Sequence, residues 1–407
     1  MYNRTYRPIL AQAVKARYQY RFYPTDQQRQ SLAQLFGCVR VVFNDALALS
    51  KASEKYPGYN ALSGVLTLAK KTEAREWLKD VSSVPLQQAL KNLDTAYKNF
   101  FDSCKGKRKG KKAKPPRFKK KTNAQSATFT KAAFSLSGES VYLAKIGNLN
   151  PIRSRELPSD PSSVTVIKDA ANRYFLSFVV DVKPVNIAAK NQSVGIDLGL
   201  KTFAVLSNGE TFKSPNYSKH DRKVRKLQRK LAKQIKGSNR RHKTRLRIAK
   251  IHNCIADTRK DFLHKLSTKV VRENQLIILE DLNVSGMVKN RKLSRAISLQ
   301  GWREFRVLVE VKSEKFGRQF TVISRWEPTS QICSDCGFKW GKLNLSIRSV
   351  VCLNCGSEHD RDENAAKNIE KVGIGHCHDS KRTGTAGKTT SVAQPVELSR
   401  ITVASAR

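Results

Sequence analysis

Acidic side chains are scarce in this sequence: 33 Asp and Glu stand against 77 Lys and Arg, a formal net charge of +44 over 407 residues. A folded chain with that imbalance repels itself unless a polyanion neutralises it, and nucleic acid is the expected polyanion. The sequence also lacks any apolar run of about 18 residues, and no basic-apolar-small segment stands at its start, so neither a membrane span nor a secretory leader is expected. It lacks a secreted disulfide framework as well. Of its eight cysteines, Cys38, Cys104, Cys254 and Cys377 are scattered, and the other four fall into two CxxC pairs. What remains is a protein of a reducing, nucleic-acid-containing compartment, the cytoplasm, that uses paired cysteines for metal. A hydrophobic content of 39% suits folded cores, and the length suits two or three domains.

Residues 15–24, KARYQYRFYP, alternate apolar and polar positions up to a proline, the pattern of a half-buried strand. A Thr-Asp start then opens a helical stretch with Leu32, Leu35, Phe36, Val39 and Phe43 on one face. Helical spacing continues over 60–104, where Leu86, Leu90, Leu93, Tyr97 and Phe100 to Phe101 line one side. Residues 105–121 hold eleven basic residues in seventeen, no acid, and two prolines that forbid a continuous helix. From about 126 to 185 the alternation is strand-like, and an antiparallel sheet or barrel is expected, joined by the strand at 15–24. Next, an apolar strand ends at Asp197, NGE marks a hairpin, and 211–274 reads as two helices broken at KGSN. Sixteen basic residues and one acid occupy 211–250. The buried strand QLIILEDL, a helix near 299–316 and the strand QFTVIS follow. The tail from about 373 has no apolar periodicity, and disorder is expected there.

Cys333 and Cys336, then fifteen residues, then Cys352 and Cys355 match the spacing of a four-thiolate zinc site. A glycine after each pair, Gly337 and Gly356, lets the backbone turn toward the metal. Four sulfurs fill the coordination shell, so one structural Zn²⁺ is expected, with no open position for chemistry. Just downstream, four of the scarce acids, Glu358, Asp360, Asp362 and Glu363, crowd into six positions. Asp360 and Glu363 fit a capping box, which leaves Asp362 free in the first helical turn. Ala365 and Ala366 would let that helix lie close to a sheet. Asp197 and Glu280 end apolar strands elsewhere; each alone could be a turn residue or the polar end of a buried strand. Brought together on adjacent strands, such carboxylates can hold two Mg²⁺ ions for phosphodiester hydrolysis.

GIDLGLKTFAV, LEDLNV, the CxxC pairs and HDRDENAAKNI, in that order, resemble the three RuvC motifs and the inserted zinc ribbon of TnpB, the RNA-guided nuclease family of insertion sequences, from about residue 15 to 372. The resemblance implies an α/β multidomain protein with an RNase H-like (RuvC) nuclease domain over 189–326, a zinc ribbon over 327–358 and the last RuvC motif over 359–372. Asp197, Glu280 and Asp362 would be its catalytic, Mg²⁺-binding acids. It further implies a discontinuous β-barrel wedge domain, 1–24 with 122–188, and an inserted helical recognition domain over 25–121, where Gln87 helps to read a short motif beside the target. The implied partners are one noncoding guide RNA bound by a monomer, and double-stranded DNA carrying that motif.

The basic runs have too few acids for i,i+4 pairing, so phosphate contact is expected of them. In the first run it falls to Lys111, Lys112, Arg117 and Lys119. In the second, Arg222, Arg225, Lys226, Arg229, Lys230, Arg240 and Arg241 would follow a guide–target heteroduplex by its backbone. Tyr20, Phe22 and Tyr23 offer faces for stacking on RNA, with core packing the equal alternative. Two rival functions use the same residues: a transposase-type DNA strand transferase, and a guided DNA-binding protein without cleavage.

Overall fold

The computed structural model describes residues 14–108, 112–122, 124–185, 187–344 and 346–382, with side chains to 375. Lys111, Cys377 and the tail beyond 382 lie outside these described residues or side chains. The chain divides into two compact units, residues 15–181 with 224–253, and residues 182–223 with 254 onward.

In the first unit, β1 (Val14–Phe22) leads into α1 (Asp26–Ala52). Thr25 starts that helix with a complete capping box: its hydroxyl accepts the Gln28 N–H at 3.3 Å, and the Gln28 side chain accepts the Thr25 N–H at 3.0 Å. By length and mean hydropathy, 1.4, α1 could cross a membrane, yet it buries ten residues and packs against α3 as a core helix does. Then come α2 (Gly58–Ala69) and α3 (Ser83–Cys104), the latter burying Leu86, Leu90, Leu93 and Tyr97 as its spacing requires.

Seven strands follow: β2 (Gln125–Thr130), β3 (Phe134–Ser137), β4 (Ser140–Leu143), β5 (Gly147–Leu149), β6 (Pro151–Ile152), β7 (Ser163–Lys168) and β8 (Tyr174–Val182). They pair as an open five-stranded sheet, β2-β7-β8-β1-β6, and a separate meander, β3-β4-β5. The hydrogen bonding of the described residues thus gives two sheets where a single closed barrel is expected, because β2 and β6 each pair on one side only. Tyr20 and Phe22 pack on Phe178 and Tyr174, with ring centroids 5.8 Å apart in each pair. At 2% and 1% exposure they belong to the core, whereas Tyr23 is 60% exposed.

The second unit is built on β9 (Asn191–Leu198), β10 (Ala204–Leu206) and β11 (Thr211–Phe212), a meander whose turns include the predicted NGE hairpin. Helices α4 (Ser218–Ala232) and α5 (Asn239–Glu273) break where KGSN predicts, but their stretch 224–253 clusters with the first unit. Asn253 shows why: its amide donates to Asp169, in the turn between β7 and β8, at 2.7 Å. After α5 come β12 (Asn274–Glu280), α6 (Val284–Met287), α7 (Ser294–Gln300), α8 (Trp302–Lys315) and β13 (Gln319–Ile323). Strands β9, β12 and β13 run parallel, giving the mixed order β11-β10-β9-β12-β13.

One face of that sheet buries Val194, Ile196, Ile277 and Leu279 against Leu263, Leu266, Phe305 and Val309 of α5 and α8. The other face carries Leu276, Ile278 and Ile323 and is covered by Ile369. A small hairpin, β14 (Ser349–Val351) with β15 (Glu358–Asp360), leads into α9 (Arg361–Arg382), which runs ten residues past the expected start of the disordered tail.

Candidate active site

Register brings the first two acids together. Ile196 pairs with Leu279 across the parallel β9 and β12, so Asp197 and Glu280 occupy the next matching rung, on strands about 4.8 Å apart. Side chains alternate along a strand, so Asp197 shares a face with Gly195, and Glu280 shares one with Ile278. Both are the face under α9. A Cβ on Gly195 would come within 2.2 Å of the Ala366 carbonyl, and one on Gly373 within 2.5 Å of Ile278. Glycine at these positions, with Ala365 and Ala366 buried, lets α9 lie directly on the strands, as the small residues predict. Asp362, in the first turn of α9, is thereby brought to the acidic ends of β9 and β12.

The three carboxylates act on one another. Burial pushes the Asp197 carboxyl up to about 7, and the negative charges of Asp362 and Glu280 push in the same direction. Glu280 is also raised, by burial first and by its neighbour Asp281 second. Asp281 itself is held below the usual carboxylate range by hydrogen bonds from Arg325 and Arg306, which neutralise it. Asp360 accepts the N–H groups of Asp362 and Glu363 at 3.0 and 3.1 Å, the expected cap. The Glu363 carboxylate turns instead to Lys367 at 2.9 Å, and Asp362 receives Arg348 Nη1 at 3.2 Å on each oxygen. An all-oxygen set of mutually repelling carboxylates suits a hard divalent cation such as Mg²⁺.

Among the described residues, Cys333, Cys336, Cys352 and Cys355 form a metal-ligand group whose donor atoms all lie within 4.8 Å of one another. Two of the sulfur pairs are 3.7 and 3.5 Å apart. Tetrahedral zinc with Zn–S near 2.3 Å requires S···S of about 3.8 Å, so the four thiols fit that ion. The His359 Nε2 stands 3.1 Å from Cys333 Sγ, where a proton on that nitrogen would steady a metal-bound thiolate.

The thiolate cluster is tied to α9 by side chains that sequence reasoning missed. Asn364 accepts the Ser334 N–H at 2.7 Å and donates to the Ile332 carbonyl at 2.8 Å. One turn on, Asn368 donates to the carbonyls of Thr329 and Ile332 at 2.8 and 2.7 Å. Lys371 donates to the Ser334 carbonyl. Asn364 and Asn368 stand i,i+4 within DENAAKNI, a spacing that marks a polar ridge able to grip a neighbour. Arg348 carried no comparable signal.

The expected phosphate contacts divide. Gln87, Lys112, Arg117, Arg222, Arg225, Lys226, Arg229, Lys230 and Arg240 are exposed. Lys119 is not: its ammonium lies 4.1 Å from the centre of the Phe43 ring, burial lowers its pKa, and Asn44 holds its backbone at 2.8 and 3.1 Å. Arg241 closes the turn between α4 and α5 by donating to the carbonyls of Leu231 and Gln234. Internal partners thus occupy these two side chains.

Three family profiles match: residues 177–291 fit one described as "Probable transposase" (the OrfB of IS605 elements), 302–369 fit "Cas12f1-like, TNB domain", and 14–55 fit "Helix-turn-helix domain". The chain is 43% identical to a "Putative RNA-guided DNA endonuclease" of Streptomyces pristinaespiralis over 374 residues, 90% of this chain and 91% of that one. It is 32% identical to the "Putative RNA-guided DNA endonuclease InsQ" of Escherichia coli K12, over 88% of this chain and 92% of that one. In fold it is similar to the protein of a Cas12f1-sgRNA-target DNA complex, with a TM-score of 0.52 at 12% identity, over 88% of this chain and 98% of that one.

Proposed function

The chain belongs to the TnpB family, and on that premise we propose that it is an RNA-guided DNA endonuclease, cutting DNA beside a short motif with Mg²⁺ held by Asp197, Glu280 and Asp362. The observation that carries this reading is the convergence of the three carboxylates under α9, with the Asp197 carboxyl driven to about 7. A divalent cation held among these acids would remove that cost, and perturbed carboxylates of this kind gather at functional sites. The mixed sheet with two acids on matching rungs supports an RNase H-like domain, and the four cysteines would hold one structural Zn²⁺.

Two Mg²⁺ ions on these acids would activate the attacking water and neutralise the leaving oxygen. The chain's own side chains do the positioning. Asp197 and Glu280 sit at the ends of hydrogen-bonded parallel strands, so their carboxylates keep a fixed spacing. Asp362 sits in a capped helical turn beside Arg348, whose guanidinium would meet the phosphate of an incoming strand if Mg²⁺ took its place on the carboxylate. Sequence specificity comes from guide pairing, with the exposed basic residues of α4 meeting backbone phosphates. The protein acts in the cytoplasm as a monomer with one RNA.

The test is to purify the protein with its native locus, sequence the RNA that comes with it, and assay cutting of a matching duplex with and without Mg²⁺. A discrete RNA and Mg²⁺-dependent ends carrying 5′-phosphate support the proposal, provided Asp197→Ala abolishes cutting. Joining of a 3′-hydroxyl to target DNA by RNA-free protein would make it a strand transferase. Equal inactivity of wild type and variant, with guided binding intact, would leave a binding protein.

A further inference from the structure

One aromatic side chain stands in the open near the carboxylates. Trp326 is 85% exposed, and its ring makes no hydrogen bond, ring contact or cation–π contact among the described residues. A single exposed apolar residue is ordinary on a protein surface, so its position has to carry the argument. Trp326 lies three residues past Ile323, the end of β13, and Ile323 pairs with Glu280. Because β9, β12 and β13 run parallel, Asp197, Glu280 and Trp326 all emerge at the same edge of the sheet. Three residues of chain reach at most about 11 Å, so the ring stays close to the Glu280 end of β12.

The segment that carries the ring is held from both sides. Residues 324–327 form a turn, in which the Glu327 N–H donates to the Ser324 carbonyl at 3.2 Å and the Trp326 N–H to the Ser324 hydroxyl at 3.3 Å. Arg325 is bound to Asp281, the residue after Glu280. Beyond the turn, Asn368 of α9 donates to the Thr329 carbonyl at 2.8 Å, and Asn368 stands about 9 Å along that helix from Asp362. The loop thus leads from the end of β13 to the helix that covers the acids, and it is tied to the carriers of Glu280 and Asp362 alike. Turn corners are ordinarily filled by Gly, Asn, Asp, Ser or Pro, which shape the backbone; an indole adds nothing to the turn's geometry.

The charge around the ring sets the class of ligand. Arg325 keeps N–H groups beyond the one given to Asp281, and Arg303 is exposed with no ion pair among the described residues; both border the cleft that Glu280 lines. A flat apolar face beside cations is the arrangement that holds unpaired nucleotides, with the base stacked on the ring and phosphate against a guanidinium. We infer that Trp326 is a stacking platform for one unpaired base of the DNA strand that enters the site of Asp197, Glu280 and Asp362, and so a positioning residue for the cut. The inference rests on the nuclease reading and deepens it. In a duplex both faces of a base are covered by its neighbours, so the platform accepts single strand only, and it admits any base because every base has a π-face.

Guide pairing tethers the strand, so the stack governs how often it occupies the acids rather than how tightly the target is bound. In the full protein–RNA complex, Trp326→Ala should slow single-turnover cutting of a matching duplex about tenfold, as loss of one base stack does. Trp326→Phe should restore most of the rate, with zinc content, co-purifying RNA and target affinity equal to wild type in both variants. A fluorescent adenine analogue that dims on stacking, moved position by position through the strand beside the cut, supplies a readout that a merely structural role would not move. In the uncut complex of Asp197→Ala, one position should be dimmed, should brighten when Trp326→Ala is added, and should stay dim with Trp326→Phe. No position that depends on Trp326, or cutting by Trp326→Ala at the wild-type rate, overturns the platform. Loss of RNA from Trp326→Ala overturns it too, because the ring would then hold the guide. A wild type that never cuts while the dimmed position persists removes the nuclease reading and keeps the stack; a wild type that cuts with no such position removes only the stack.

Discussion

The thiolate and carboxylate centres share one unit and meet on one helix, yet they are built to opposite specifications. The four cysteines lie within 4.8 Å of one another and are braced by His359, so that group is closed on itself. The three acids are held otherwise: burial first, and the charges of Asp362 and Glu280 after it, raise Asp197 to about 7, so that group is completed only from outside. A centre that finishes itself suits a structural metal. One that is left in electrostatic debt suits chemistry, where ions and a phosphate oxygen settle it during each turnover.

The largest effect should come from breaking the open centre. Asp197→Ala is expected to lower the cutting rate by about 10³-fold or more, while the co-purifying RNA and the affinity for a matching duplex stay unchanged. An equal loss of RNA would mean that Asp197 supports the fold rather than the reaction. Breaking the closed centre should act differently. Cys352→Ser should abolish bound zinc, expose the 327–360 segment to protease and reduce cutting by roughly 10–100-fold through disorder of the start of α9. Retention of stoichiometric zinc by that variant would refute a four-thiolate site.

Much of this contrast is legible in the sequence, and the exceptions have physical causes. The cysteine spacing gives the thiolate centre because both halves of each ligand pair are local. Asp197 and Glu280 can be read as strand ends, but their shared rung depends on the register of β9 against β12, which is set by packing 80 residues away in sequence and leaves no local mark. Gly195 lies inside the apolar strand, and nothing in the sequence marks it as the position that admits α9. Lys119 and Arg241 look like members of basic runs, since composition records charge and not the Phe43 ring or the carbonyls that occupy them. Alternation likewise identifies the strands of the first unit but leaves sheet and barrel open, because closure depends on edge pairing that alternation does not encode.

A subtler break separates the two centres without emptying either. Asn364 and Asn368 carry the backbone of the first cysteine knuckle on the same helix as Asp362. Asn364→Ala with Asn368→Ala should leave zinc at one per chain but lower cutting about tenfold, with a higher Mg²⁺ requirement, because the third carboxylate loses its brace. Unchanged Mg²⁺ dependence would show that α9 is placed by Gly195 and Ala366 alone.

The smallest effect tests the debt directly, through pH. The Asp197 carboxyl titrates near 7 in the folded chain, above its ordinary value of 3.8. A group raised on folding stabilises the native state in its protonated form. That stabilisation is complete below about pH 4 and is lost as pH rises through about 7, with no further loss above it. The metal-free protein should therefore lose a few degrees of Tm relative to Asp197→Asn between pH 4 and 7, since the variant has no such proton to lose. Taking the difference between the two proteins removes the titration of every other group. Mg²⁺ at pH 8 should restore wild type and leave Asp197→Asn nearly unmoved. Parallel Tm curves for the two proteins would mean that the folded chain does not hold Asp197 buried beside like charge, and the distinction between the two centres would then rest on geometry alone.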